Sequence, residues 1–240
     1  MPNPAEFVGT CPACFRAEKF YRNRVKRVGY CQRCGYSVGP KEYGADSPAA
    51  TGLRIRPASQ PKLVPAWSDV DARQYLVGRG VLSEHLDIEY CPEERRLYFR
   101  IWSPLPEFAP DWHTRSIEAG QGWRGLHGSK KSHYLWGHAS PSADAVVVEG
   151  IFDALRVGSA AVSLLGTHLS EGQAQFLGSC RKIYLWLDPD PAGRLATRKI
   201  EATLMFYPVD VVSVRYHKEP GDCTPDEVRE VLGKAGWTCG

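Results

Sequence analysis

What the sequence lacks narrows its reading before any motif is considered. No stretch approaches the roughly 18 apolar residues that a membrane-crossing helix needs, and Met1–Phe7 carries no apolar run of the kind found in an export signal. No Gly-x4-Gly-Lys-Ser/Thr occurs, so the phosphate cradle of a P-loop motor is missing. No internal repeat is visible. Eight cysteines are present, but nothing suggests the secretory context that would make them a disulfide framework. A reducing cytoplasm is the expected compartment. A net charge of +3 over 240 residues is too small to name a partner.

The distribution of charge says more than its sum. Residues 1–60 hold ten Lys/Arg and four Asp/Glu, an excess of six, so the remainder is slightly acidic. A basic head on a near-neutral body points to a polyanion partner for the head. Residues 39–66 are rich in Pro, Ala, Gly and Ser without a period and read as a flexible linker, with an end-to-end distance of roughly 30 Å. The spacing predicts a helix over 67–90, capped by Ser68 or Asp69. Over 96–136 the aromatic and β-branched run Arg96–Trp102 and the Pro/Gly breaks after it predict β-hairpins. From residue 144 the pattern changes. Apolar runs at 145–148, 160–165, 183–187 and 209–214 alternate with helical stretches at 151–158, 170–178, 192–206 and 225–235. This alternation predicts an α/β fold with a mostly parallel sheet flanked by helices.

Cys11-x2-Cys14 and Cys31-x2-Cys34 have the spacing of a four-thiolate zinc ribbon, in which each knuckle gives two sulfurs to one tetrahedral ion. Phe20, Tyr21, Arg22, Arg24, Lys26, Arg27, Tyr30, Arg33 and Tyr36 surround the knuckles. Cations for phosphates interleaved with rings for bases suit single-stranded nucleic acid. A solvated basic face on a structural zinc module is the plainer alternative.

Three acidic clusters follow predicted strands: Glu149-Gly150-Ile151-Phe152-Asp153, Asp188-Pro189-Asp190-Pro191-Ala192-Gly193 and Glu219-Pro220-Gly221-Asp222. Ligands of open α/β sheets bind at the carboxyl ends of strands. Pro189 keeps the chain extended, so Asp188 and Asp190 can share a hard cation. Singly, each acid has an ordinary structural reading: Glu149 as a solvated strand end, Asp153 serving a helix dipole, Asp190 as an N-cap, Asp222 in a turn before the Thr224–Glu227 capping box. Together, at three strand ends facing one crevice, they predict a magnesium or manganese site.

Glu-Gly-x-x-Asp after a Val-rich strand, followed by Asp-x-Asp-x-x-Gly, resembles the Toprim domain of primases, topoisomerases and some nucleases. A four-cysteine ribbon ahead of it resembles DnaG-type primases, and the short length resembles the primase half of phage primase–helicases. The resemblance implies a zinc ribbon at 1–38, the linker at 39–66, a basic part of the polymerase core at 67–138 and the Toprim domain at 139–240. It implies DNA primase activity, with RNA primers made from ribonucleoside triphosphates on single-stranded DNA. Glu149 would be the acid nearest the chemistry, Asp188 and Asp190 would hold Mg²⁺, Asp222 would support them, and Asp153 would be structural. Glu219-Pro220-Gly221-Asp222 departs from the family's Asp-Pro-x-Asp/Glu form.

Ahead of the Toprim-like segment, Arg115, Arg124, Lys130 and Lys131 are the expected nucleotide and template contacts, with Leu135-Trp136-Gly137 as packing. Tyr21, Arg22, Arg24, Tyr30 and Arg33 are the expected template readers. A replicative helicase would be a separate chain or a further domain. The rivals are a Toprim nuclease and a non-catalytic recombination module; the latter usually places a helix–hairpin–helix before its cysteines, and ten residues leave no room for one.

Overall fold

The computed structural model describes residues 6–9, 20–23, 28–31, 37–38, 61–82, 87–105, 108–125 and 131–237. They fall into two units, residues 1–61 with 126–129 and residues 62–125 with 130–240. No helix among the described residues is long and apolar enough to cross a membrane.

The first unit is a four-stranded antiparallel sheet of β1 (Glu6–Gly9), β2 (Phe20–Asn23), β3 (Val28–Cys31) and β4 (Ser37–Val38) in sequential order. Phe20 is buried, while Tyr21 and Tyr30, opposite each other across β2 and β3, are exposed. Cys31 closes β3. Cys11, Cys14 and Cys34 lie outside the described residues, as do Arg24 and Arg33.

The second unit opens with β5 (Val64–Pro65) and α1 (Val70–Gly78), followed by β6 (Ile88–Cys91), β7 (Arg96–Ile101), β8 (Asp111–Ser116) and β9 (Trp123–Gly125). These five strands form an antiparallel sheet in sequential order. Two expectations are corrected here. The flexible linker was expected to run to residue 66, but Val64 and Pro65 pair with Tyr90 and Glu89, and Ala66 is fully buried. The helix expected over 67–90 begins on Asp69, whose carboxylate accepts from the Ala72 N–H at 3.0 Å, and stops at Gly78. The stop is a Schellman turn: the Gly80 N–H donates to Val77 O at 2.8 Å and the Val81 N–H to Leu76 O at 3.0 Å. Gly80 supplies the left-handed φ of +73° that the turn requires. Leu76 and Val81 then pack in one apolar cluster, and the chain returns as β6.

The rest is α/β: β10 (Trp136–Gly137), β11 (Asp144–Val148), α2 (Ile151–Val157), β12 (Ala161–Ser163), α3 (Glu171–Leu177), β13 (Lys182–Leu185), α4 (Pro191–Leu204), β14 (Asp210–Ser213) and α5 (Pro225–Lys234). The sheet order is β10-β12-β11-β13-β14, parallel except for the antiparallel edge strand β10. Alternate residues of β11 face opposite sides. Ala145 and Val147 join Ala174, Leu177, Ala196 and Ile200 of α3 and α4. Val146 and Val148 join Ala154, Val228 and Leu232 of α2 and α5. Both faces are covered, so the strand reads as a continuous apolar run. Leu135 and Trp136 pack in the core as expected.

The strand order fixes where a ligand can sit. The chain leaves β11 for β12 on one side, then crosses back through α3 to β13 on the other. The carboxyl ends of β11 and β13 therefore flank a topological switch point, where such sheets leave a crevice.

Candidate active site

The crevice is occupied by acids. An open cavity of about 190 Å³ is lined by Arg79, Trp123, Glu149, Gly150, Ile151, Phe152, Asp153, Asp188 and Glu219. Glu149 follows β11, and its backbone is held from the neighbouring loop. Its carbonyl accepts from Ser163 Oγ at 2.9 Å and from the Gly166 N–H at 3.1 Å. Between those donors Leu165 takes a left-handed φ of 59°, a strain of the kind found at functional sites. Asp188 follows the continuation of β13, kept against β11 by the Trp186 N–H donating to Val147 O at 2.9 Å. Trp186 Nε1 reaches Lys218 O at 3.2 Å and so ties the second acidic loop to the third.

Asp153 is the staple of the site. It is buried, and its two carboxylate oxygens accept from two backbone donors, Gly150 N–H at 2.9 Å and Gly221 N–H at 2.9 Å. The first is the N-cap of α2 and the second lies in the Pro220–Asp222 turn. One side chain thus fixes the first cluster to the third.

Crowding shows in the proton affinities. Burial, then the charges of Asp188, Asp153 and Asp190, push the Glu149 carboxyl up to about 7. Burial, then Asp153, Asp188 and Asp222, push Glu219 up to about 7. Burial also raises Asp188, against a hydrogen bond from Glu219 that favours its ionised form. Asp153 is raised by burial, opposed by its two backbone donors. Asp188 Oδ1 is buried without a hydrogen-bond partner, an atom that a cation would satisfy.

The expected residues divide. Glu149 and Asp188 meet at the cavity. Asp190 is exposed and caps α4, its Oδ1 accepting from the Gly193 N–H at 2.6 Å, while its charge is felt by both Glu149 and Asp188. Asp222 is exposed, and Glu219 takes the place in the lining that was expected of it. The reason is local: Pro220 is buried and Gly221 is held by Asp153, so the turn presents its first residue inward. Among the described residues no three His, Cys, Asp or Glu side chains close into a ready metal cage. The donors nevertheless fit magnesium, which takes one or two protein carboxylates and completes its shell with water and substrate phosphates.

The cation in the lining is Arg79, which the sequence reading passed over. The Schellman turn places its guanidinium 4.6 Å from the centre of the Phe152 ring, and its charge reaches Asp153. The available signal was an arginine between Gly78 and Gly80 at a helix end. Arg115, Arg124 and Lys131 are not in the lining, and Lys130 lies outside the described residues. Arg115 comes nearest: it donates to Tyr75 Oη at 3.1 Å and lies 5.6 Å from the ring centre of Trp123, itself a wall of the cavity. Lys131 is exposed and close enough to the buried His113 that, after burial, its charge helps hold that imidazole down at about 3. Trp123 stacks on His113 at 4.8 Å with the planes 4° apart.

Residues 146–226 match the Toprim-like family. The DNA primase of Aquifex aeolicus (strain VF5) is 32% identical over 134 residues, 54% of this chain and 25% of that protein. The chain thus spans about a quarter of the length of this curated relative. The zinc-binding and RNA polymerase domains of the Aquifex aeolicus primase match with a TM-score of 0.51 at 19% identity, over 98% of this chain and 78% of that one. The chain shares the fold of those primase domains. The primase fragment of the bacteriophage T7 primase–helicase protein matches over 97% of this chain and 100% of its own, at 14% identity and a TM-score of 0.51. In this primase fold the acidic cavity lies within the Toprim-like segment, and Arg79 and Trp123 reach it from the antiparallel part ahead of that segment.

Proposed function

We propose that this chain is a DNA primase that polymerises ribonucleotides into short RNA primers on single-stranded DNA. The observation that carries the proposal is the meeting of Glu149, Asp188 and Glu219 with Arg79 in one cavity at the switch point. In the reaction the 3′-oxygen bonds to the α-phosphorus of the incoming triphosphate, the bond to the β-phosphate breaks, and pyrophosphate leaves. Glu149, in the lining beside Asp188, takes the hydroxyl proton. Asp188, with Asp190, Glu149, Glu219 and Asp222 as the remaining donors, would hold magnesium, which would supply charge neutralisation to the reaction. Arg79 engages the phosphates at the mouth, and Arg115, Arg124, Lys130 and Lys131 would be the further nucleotide and template contacts. Trp123 forms the apolar wall.

The N-terminal unit would hold zinc through Cys11, Cys14, Cys31 and Cys34. The exposed cross-strand pair Tyr21 and Tyr30, with Arg22, Arg24 and Arg33, would take template bases and phosphates. The helicase that such an activity serves is a separate chain or a further domain.

Labelled ribonucleotides, Mg²⁺ and random single-stranded DNA provide the test. Short RNA products are expected, and their loss in Glu149→Gln and in Asp188→Asn. Cleavage of the DNA without synthesis would replace this reading with a Toprim nuclease.

A further inference from the structure

We infer that the outer face of α4 is a path for the single strand leaving the cavity, with Arg194, Arg198 and Lys199 taking phosphates and Leu195, Met205 and Phe206 taking bases. The inference rests on the reading of the cavity as a nucleotidyl-transfer centre. α4 starts at the cavity's edge, because its N-cap is Asp190. Its 14 residues carry it about 21 Å away. Gly193, Ala196, Ile200 and Leu204 are buried against the sheet, which fixes the rotation of the helix. The opposite side presents Leu195, 46% exposed, and ends in Met205 and Phe206, 73% and 85% exposed. Met205 and Phe206 adjoin at one end of the helix and Leu195 lies about 15 Å nearer the cavity, so large apolar side chains stand open along its length.

The charge on that side has one sign. Arg194 and Arg198 are one helical turn apart, roughly 5–6 Å between Cβ atoms, and Lys199 adjoins them. Arg198 and Lys199 form no ion pair among the described residues. Arg194 donates to the Pro189 carbonyl, which draws it toward the acidic loop. The single acid of α4, Glu201, accepts from Ser213 Oγ on β14 and so faces the sheet. Cations interleaved with apolar and aromatic side chains suit a single strand, and continuity with the cavity favours that occupant over an acidic protein segment.

The test is binding, so it needs no synthesis. The full chain is titrated with labelled single-stranded DNA of about 20 nucleotides, and with a 6-mer too short to leave the cavity along α4, over a range of salt. Arg194→Ala/Arg198→Ala/Lys199→Ala together should reduce the salt slope for the long strand by about 2, from 0.7 per phosphate contact. Phe206→Ala should weaken the long strand on the order of tenfold at fixed salt and leave the slope alone. The 6-mer and the melting temperature should not respond, since all four side chains are exposed. A slope unchanged by the triple variant, or an equal loss for both lengths, overturns the inference. So does an acidic, apolar peptide that binds the wild type but not the triple variant while DNA binding stands. Failure of primer synthesis with these binding results intact would fall on the function proposed above, not on the path.

Discussion

Replacing Asp153 with Asn tests the logic of the site most directly. The wild-type carboxylate accepts two backbone N–H bonds, each of 2.9 Å, in a buried position. Asn offers one carbonyl oxygen and one NH₂, so whichever way it is turned, one backbone donor faces another donor. A hydrogen bond to a charged group contributes about 1.5–3 kcal/mol, and leaving a buried donor unmet costs about 1–3 kcal/mol. Against this, the variant no longer buries a charge whose proton affinity is already raised by burial. The net expectation is a loss of about 2–3 kcal/mol, or about 4–12 °C in melting temperature for a unit of this size. Asp153→Ala leaves both donors unmet and should lose more. The consequence for function is separable from stability. With Gly221 released, Glu219 is no longer held beside Asp188, so the magnesium concentration for half-maximal synthesis should rise several-fold below the melting range. Calorimetry and a magnesium titration make the two measurements. An Asn variant within about 0.5 kcal/mol of wild type, or an Ala variant more stable than the Asn variant, would refute the staple.

Three further outcomes follow from the same geometry. Glu149 and Glu219 hold protons up to about pH 7 when folded, against an ordinary carboxyl value of 4.5. The folded state then binds more protons than the unfolded one between those values, so stability without divalent metal should fall as pH rises from about 4.5 to 7. Magnesium should restore it at pH 7.5, and a melting curve of Asp188→Asn that still responds to magnesium would count against Asp188 as a ligand. Arg79→Gln should raise KM for the incoming nucleotide by about 10–100-fold with a smaller effect on kcat, as expected for loss of a charged contact to phosphate; an unchanged KM would remove Arg79 from the phosphate site. Gly193→Ala should cost at least about 2 kcal/mol by denaturant titration, because its Cβ would lie 2.2 Å from the Asp188 carbonyl oxygen, and backbone must move to admit it.

The second half of the fold was legible in the sequence because its elements advertise themselves locally. Val146–Val148 is apolar on both faces, Asp190-Pro191 writes an N-cap and first turn, and Thr224-Pro225-Asp226-Glu227 forms the capping box that the structure contains. The antiparallel part was less legible. β5 hid in a Pro-rich stretch because a two-residue edge strand has no period to detect. The end of α1 was missed because a glycine pair inside an apolar pattern can be read as a tolerated interruption, while only the packing of Leu76 on Val81 makes it a turn.

The sequence by itself determined which chemistry the chain carries: paired cysteine knuckles, three acidic clusters at strand ends, and the alternation that sets those ends along one edge. Strand ends are local facts, written in runs of a few residues, and one-dimensional patterns suffice for them. Which acid of Glu219-Pro220-Gly221-Asp222 turns inward, and which cation meets the carboxylates, only the tertiary structure decided. Glu219 lines the cavity because a side chain 68 residues away grips Gly221. Arg79 lines it because a helix ends at Gly78, about three turns earlier than its pattern suggests, and delivers a guanidinium to an acid site 70 positions downstream. Such choices are made by contacts between distant segments, and no window of sequence contains both partners.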